Sequence, residues 1–419
     1  MVANRMTAAD AQMFWMSATM PNDTFLLYAF DGVPHDLDAA VAELITNARR
    51  SPDLCLRVRD DSRWDYPHWV PAMVGADRFR TYPSSGWIDC LAAVVGLVDH
   101  QLDAREMPWR VHLFPGVRGV PGVAGAATVA VLQITHALGG GGRTCGPAAV
   151  MFGRAATVEP IEPMYGNPAM LIWRGVQAAR AHRQLVHDTE AGRVPAAAAP
   201  RPALRTNAEP RGVRSMRALV LPRSQLAGAT VTVSALAAIS AALGDHLAAL
   251  GEDIATLGAE VTMAKAGPRR AYNHFGTVGI DLRPDLATPQ RRAAIAGELA
   301  DRRTRAAHPS MRASERAFAA TPAPLLRWGT RQFDPTVRPA AVTGNTVVSS
   351  VNCGAADFAF GGRPVRMAAA FPGLSPMVGL THCVTGVGDA VSVSVFAAES
   401  AIGDIDGYVA RLESAFSSM

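Results

Sequence analysis

Apolar positions recur along this chain at two periods, and the switching between them outlines a mixed fold. Leu37 to Arg49 (LDAAVAELITNAR) places its apolar residues on one helical face, and Gly86 to Val98 (GWIDCLAAVVGLV) does the same. WRVHLF then alternates, PGVRGVPGVAG supplies a turn, and ATVAVLQIT is a continuous apolar run, so a hairpin is predicted over Trp109 to Thr135. His136 stands at the carboxyl end of that buried strand. Gly139 to Gly142 follow as a tight turn, and CGPAAVMFG opens a helix. Farther on, RALVLPRSQL reads as a strand and turn, VSALAAISAALGDHLAAL as a helix, and a shorter helical stretch runs toward Met263. FGTVGIDLRP predicts a strand and PQRRAAIAGELADRRTRA an amphipathic helix. NTVVSSVN, VRMAAAFP, MVGLTHCVTG and AVSVSVFA predict successive strands, and DIDGYVARLESAFSSM a closing helix. No repeat of solenoid period is present.

From His187 to Gly212 the chain reads HDTEAGRVPAAAAPRPALRTNAEPRG, rich in proline and alanine and without apolar periodicity. Such composition predicts a linker or mobile crossover. Taken as residues 188–212, it separates an N-terminal unit, 1–187, from a C-terminal unit, 213–419. Each unit mixes strands and helices, so the expected fold class is α/β (α+β), two domains with an interface between them. A chain of 419 residues has ample length for that and for a cleft between halves.

Hydrophobic residues make up 49% and charged residues 18%, yet no uninterrupted apolar run approaches the roughly 20 residues that a bilayer span needs. Asp10 interrupts the segment where a signal peptide carries its apolar core, which predicts a soluble, cytoplasmic protein. Cys55, Cys90, Cys145, Cys353 and Cys383 are odd in number, scattered and without CxxC spacing. That pattern fits neither a zinc site nor a disulfide framework, and buried or idle thiols are expected. The formal net charge is +4, but Lys265 is the only lysine and the arginines are dispersed. The densest basic runs, Arg269-Arg270 and Arg302-Arg303-Thr304-Arg305, are short and lack interleaved aromatics, so no nucleic-acid partner is expected.

Chemistry concentrates at QITHALGGGGRT, Gln133 to Thr144. A phosphate loop would need a glycine where Ala137 stands and a lysine where Arg143 stands, and GxGxxG is missing from the region too. A histidine at a strand end, beside glycines whose bare backbone admits a substrate, suits a general base that takes a hydroxyl proton. The plain alternative is a turn histidine satisfied by backbone. Other pairs are weaker. His100 and Asp103 lie in a segment read as a solvated loop after a helix. His382 and Cys383 are neighbours in a strand and therefore point to opposite faces. GxSxG and HExxH do not occur.

In the order of its segments the chain resembles the bacterial wax ester synthase/acyl-CoA:diacylglycerol acyltransferases, within the chloramphenicol-acetyltransferase-like and condensation-domain group, over nearly its whole length. MTAADAQMFWMSA is similar to that family's opening, and LVDHQLDAREMPWRVHLFPGV to the segment around its Pro-Leu-Trp element. QITHALGGGG falls where the family carries His-His-x-x-x-Asp-Gly. VVSSV with GGRPVRMAAAFPGLSPMVG resembles the region of Ser-Asn-Val-Pro-Gly-Pro, and FAAESAIGDIDGYVARLESAF the closing strand and helix. The resemblance implies two chloramphenicol-acetyltransferase-like domains around a central substrate channel. It also implies direct acyl transfer from acyl-CoA, a co-substrate, to a hydrophobic alcohol such as diacylglycerol. Neither a metal nor a redox cofactor is implied. Contact with a membrane or lipid-droplet surface belongs to the same expectation.

The motif's second histidine, the base, falls on His136. The first falls on Thr135, the aspartate on Gly140 and the last glycine on Gly141. Thr135, Gly139, Gly140, Gly141, Ser349 and Ser350 are thereby the expected substrate-contacting set, with glycine amides as a candidate oxyanion site. Pro-Leu-Trp appears as Met107-Pro108-Trp109, the family's Asn-Asp pair as Thr232-Val233, and Ser-Asn-Val as Ser349-Ser350-Val351, with Asn352-Cys353 in place of Pro-Gly. These departures motivate an alternative: a non-catalytic relative that keeps the channel as an acyl-lipid binding or regulatory protein.

Overall fold

Two six-stranded sheets organise the chain, and the predicted hairpin forms the middle of the first. The computed structural model describes residues 4–83, 86–140, 142–156, 158–226 and 230–419. The first half supplies β1 (Thr24–Asp31), β2 (Phe79–Thr81), β3 (Trp109–Val117) and β4 (Ala127–Ile134). The second half supplies β5 (Arg214–Pro222), β6 (Gly258–Ala264), β7 (Phe275–Asp281), β8 (Thr346–Asn352), β9 (Ala359–Phe360), β10 (Arg363–Phe371), β11 (Leu380–Val387) and β12 (Ala390–Ala398). The first sheet runs β9-β10-β1-β4-β3-β2 and the second β7-β6-β8-β11-β12-β5.

Every residue of β4 is buried, which is why its sequence is continuously apolar rather than alternating. Burial of Val129, Val131 and Leu132 contributes about 1.5–3 kcal/mol each relative to exposure. Helices cover the sheets: α1 (Ala8–Met16), α2 (Leu37–Ala48), α3 (Trp87–Leu97), α4 (Cys145–Met151), α5 (Leu171–Glu190), α6 (Val231–Ala249), α7 (Thr288–Ala306), α8 (Pro309–Ala319), α9 (Ala323–Arg331) and α10 (Ile405–Ser417). By length and composition α6 alone among the described helices could cross a membrane, but most of it is buried in the second core, against α7 and α10.

Four sequence expectations need correction. The chain does not divide cleanly at residues 187 and 213, because β10 leaves the second half and pairs antiparallel with β1, from Phe371 opposite Phe25 to Val365 opposite Phe30. The segment 188–212 is no mobile linker. Its first residues finish α5, and the buried Arg201 donates to Thr343 O, Thr256 O and Asp281 Oδ1, while Asn207 Nδ2 donates to Gly344 O at 3.0 Å. Buried polar groups each need a partner, so these bonds fix the crossover in place. Third, the stretch toward Met263 is the strand β6, because it lies between β7 and β8 and both neighbours supply ladder bonds. Gly258 is required there, since a Cβ would meet the Arg201 guanidinium. Fourth, Cys145 and Cys353 form a disulfide between α4 and the end of β8, whereas Cys55, Cys90 and Cys383 are free thiols. The two are 208 residues apart in sequence, and only packing brings their Cα atoms to 5.1 Å, so spacing carried no sign of the pair.

Candidate active site

The position of His136 follows from the sheet beneath it. β4 lies between β1 and β3, and Thr135 N extends the ladder to Pro108 O at 2.9 Å. Trp109 is fully buried opposite Ile134 and donates its indole N–H to Leu54 O at 2.9 Å, which pins the strand beside the histidine. One 3₁₀ turn, His136–Leu138, then ends at Gly139. Gly139 has φ 104°, and a Cβ there would lie 2.9 Å from Tyr272 O, so no other residue fits without strain. Its N–H donates to His136 O at 3.0 Å.

The turn opens onto a cavity of about 320 Å³ between the halves. His136, Gly140, Gly142, Arg143 and Thr144 line it from the first half, with Met20, Phe25 and Leu26. Thr262, Met263, Arg269, Tyr272, Phe275, Val347, Ser349, Ser350, Val351, Phe371 and Cys383 line it from the second. Its wall is mostly apolar, with a few polar groups, as is usual for small-molecule sites. The imidazole packs against the Phe275 ring, with centroids 5.9 Å apart. A Cβ at Gly140 would lie 3.2 Å from His136 Nε2, so that nitrogen faces the bare glycine at the cavity wall. Burial pushes the His136 pKa below its ordinary value, and its own carbonyl and the Asn273 side chain offset part of that effect. The imidazole is therefore neutral at pH 7, with a lone pair to use.

Behind the turn stands a polar brace. Arg143 pairs with Asp53 and donates to Glu159 O, and its guanidinium lies over the Tyr272 ring at 5.7 Å. Tyr272 Oη donates to Asp53 Oδ1 at 3.1 Å. Asn273 Nδ2 donates to His136 O at 2.9 Å and to Asp10 Oδ1 at 3.1 Å. Asp10 is fixed twice: Thr7 caps α1 by accepting from Asp10 N at 3.2 Å and donating to Asp10 Oδ2 at 2.8 Å. Burial pushes the Asp10 pKa upward against these hydrogen bonds.

Of the sequence-derived set, His136, Gly140, Ser349 and Ser350 come together on the cavity wall. Thr135 and Gly139 do not line it. Thr135 is buried beneath the turn, and the Gly139 amide is spent on His136 O, so it is no oxyanion donor. Gly141 lies outside the described residues. Ser350 Oγ meets Thr232 Oγ1 at 2.8 Å, which joins two positions where the sequence differs from the pattern it resembles. His382 turns away from the cavity to Thr346 Oγ1 and Tyr408 Oη, with burial taking its pKa down to about 3, while Cys383 faces the cavity with its thiol pushed up to about 12. Asp103 pairs with Arg105 at 2.9 Å, and His100 is exposed. Sequence reading missed Asp10, Asp53, Arg143, Tyr272 and Asn273. Only Asp10 carried a local signal, the Thr-x-x-Asp capping pattern ahead of an apolar stretch.

Comparison with known families adds a decisive observation: residues 272–419 match the family described as WS/DGAT C-terminal domain. Residues 272–419 are thus similar to a WS/DGAT C-terminal domain. This segment contributes Tyr272, Asn273 and Phe275, as well as β8, β10 and β11, to the cavity and its brace. Over the whole chain the fold is similar to the wax ester synthase/diacylglycerol acyltransferase from Marinobacter aquaeolei VT8, at 17% identity and TM-score 0.64, covering 99% of this chain and 98% of that one. A starter condensation domain of rhizomide synthetase RzmA, solved as a variant with C8-CoA and Leu-SNAC, is similar at 14% identity and TM-score 0.57, covering 99% and 93%. The first condensation domain of the calcium-dependent antibiotic synthetase is similar at 15% identity and TM-score 0.57, covering 99% and 95%. Comparison with curated proteins finds no match. Over nearly its whole length the chain thus shares the fold of these structures, with the WS/DGAT-like segment forming its last third.

Proposed function

We propose that this protein transfers a long-chain acyl group from acyl-CoA to a hydrophobic alcohol such as diacylglycerol, with His136 as general base. The observation that carries the reading is the neutral His136 imidazole on the wall of a largely apolar cavity built by both halves, with Nε2 toward bare Gly140. In the step, Nε2 takes the hydroxyl proton while the alcohol oxygen bonds to the thioester carbonyl carbon. The carbon–sulfur bond then breaks, and the imidazolium returns the proton to the departing CoA thiolate. No covalent enzyme intermediate, metal or redox cofactor enters. Met20, Phe25, Met263, Phe275 and Phe371 would take the acyl chain. Ser349 and Ser350 would contact the polar centre.

Action at a lipid surface fits the exposed side chains Ile172 and Trp173 on α5 and Leu325 and Trp328 on α9. The acyl-lipid binding alternative rests on Thr135, Gly140, Thr232 and Val233, which stand where the resembled pattern carries His, Asp, Asn and Asp. One experiment separates the two: acyl transfer from radiolabelled long-chain acyl-CoA to a panel of alcohols, with wild type beside His136→Ala. A general base predicts a loss of about 10²–10⁴-fold in the variant. Binding of acyl-CoA by both proteins with turnover by neither would refute the enzyme and leave the binding protein.

A further inference from the structure

We propose that Asn273, gripped by Asp10, is the positioning residue of His136, with its amide nitrogen anchoring the His136 carbonyl and its amide oxygen accepting from His136 Nδ1–H. The inference rests on the general-base reading.

Asp10 is 1% exposed and Asn273 6%. Asp10 Oδ1 accepts from Asn273 N at 2.9 Å and Asn273 Nδ2 at 3.1 Å, and Oδ2 accepts from Tyr272 N at 3.1 Å. The N-terminal helix therefore grips both the backbone and the side chain of the loop that leads into β7. Both partners of Asn273 Nδ2, Asp10 Oδ1 and His136 O, are acceptors only, so the amide has one allowed orientation. That orientation leaves Asn273 Oδ1 buried without a partner, and His136 Nδ1 is in the same condition. The two atoms are complementary, because a neutral imidazole can donate at Nδ1 and an amide oxygen can only accept. In keeping with this, the Asn273 side chain, after the ring's own carbonyl, acts on the ring in the direction an acceptor would, favouring the protonated form.

The pairing decides which nitrogen does chemistry. A proton held on Nδ1 leaves the lone pair on Nε2, the nitrogen opposite Gly140 at the cavity, whereas an untethered ring divides between tautomers. Local sequence supplies no such tether, because a run of glycines follows the histidine and glycine has the most backbone freedom to lose. The tether arrives from 137 residues away in sequence, and its own anchor from 263 residues away.

The test uses the full chain and Asn273→Ala, which keeps both backbone amides on Asp10 and removes only the side-chain links. Nitrogen-15 histidine spectra, with His136→Ala to assign the signal, read the tautomer directly and need no turnover. The expected result is the Nδ1–H form in wild type and a shift toward the Nε2–H form in Asn273→Ala. In acyl transfer, kcat falls about tenfold or more with KM for acyl-CoA within about twofold, as a misplaced base predicts, and the loss disappears in the His136→Ala background. An unchanged tautomer, or an equal loss with and without His136, overturns the proposal. If Asn273→Ala disturbs the fold, as circular dichroism would show, Asp10→Asn, which turns an amide N–H toward the same donors, must give the same tautomer shift. Wild-type protein that transfers no acyl group would sink the general-base reading, while the spectra still decide the positioning.

Discussion

Gly140 offers a test in which family resemblance and structure predict opposite results. Aspartate is the residue expected there by resemblance, so Gly140→Asp would rebuild the motif on paper. In this structure a Cβ at 140 lies 3.2 Å from His136 Nε2 and 3.3 Å from Cε1. Comfortable contact is about 3.5–4.0 Å, so the ring must yield by about 0.3–0.8 Å. Taking about 10²-fold per 1 Å of misplacement, Gly140→Ala should lose about 4- to 40-fold in kcat/KM. Gly140→Asp should lose more, because its carboxylate stabilises a proton on Nε2 and so competes with the substrate hydroxyl. The same carboxylate raises the proton affinity of the ring, so the acid limb of the rate profile moves to higher pH. In wild type that limb should lie below the ordinary histidine value, since burial lowers the His136 pKa. The assay is release of CoA thiol across about pH 5–9, which spans the ordinary histidine range. Aspartate at 140 with activity equal to or above wild type would refute the geometry. Gly139→Ala is the contrasting control: with φ 104° it should cost about 1–3 kcal/mol of stability as well as rate.

Burial raises the Asp23 pKa to about 6, so between about pH 4 and 6 the folded chain holds a proton that the unfolded chain releases, and stability falls as pH rises through that window. Asp23→Asn removes up to about 3 kcal/mol of that fall, so its denaturation midpoints should gain on wild type from pH 4 to 6, and parallel curves would contradict the argument. His112, pushed down to about 4, contributes the opposite slope in both proteins and cancels in the difference. Thiol labelling of the denatured, unreduced chain should modify Cys55, Cys90 and Cys383 only, with Cys145 and Cys353 added after reduction; labelling of all five at once would exclude the disulfide. Vesicles containing diacylglycerol should sediment the wild-type chain, and Trp173→Ser with Trp328→Ser should reduce that binding; equal binding would place lipid contact elsewhere.

Strands were legible in the sequence where burial on both faces makes the pattern continuous, as in β4, and helices where one face alone is buried, as in α2 and α7. The strand end, the turn and the histidine between them were legible for the same local reason. β6 was not, because Ala, Glu and Met favour helix and only its two partner strands override them. Nor was α5, where Leu185 alone is buried while Ile172, Trp173, Val176 and Val186 stay exposed.

By itself, then, the sequence determined the local elements, the apolar cores and one histidine at a strand end, since these depend on contacts a few residues apart. The tertiary structure alone decided that β10 would cross to the first sheet, that Ser349, Ser350 and His136 would share a cavity, and that Asp10 would reach Asn273. Those outcomes depend on hydrogen bonds and burial between residues hundreds of positions apart. Sequence spacing carries no information about such pairs until packing has closed the loops between them.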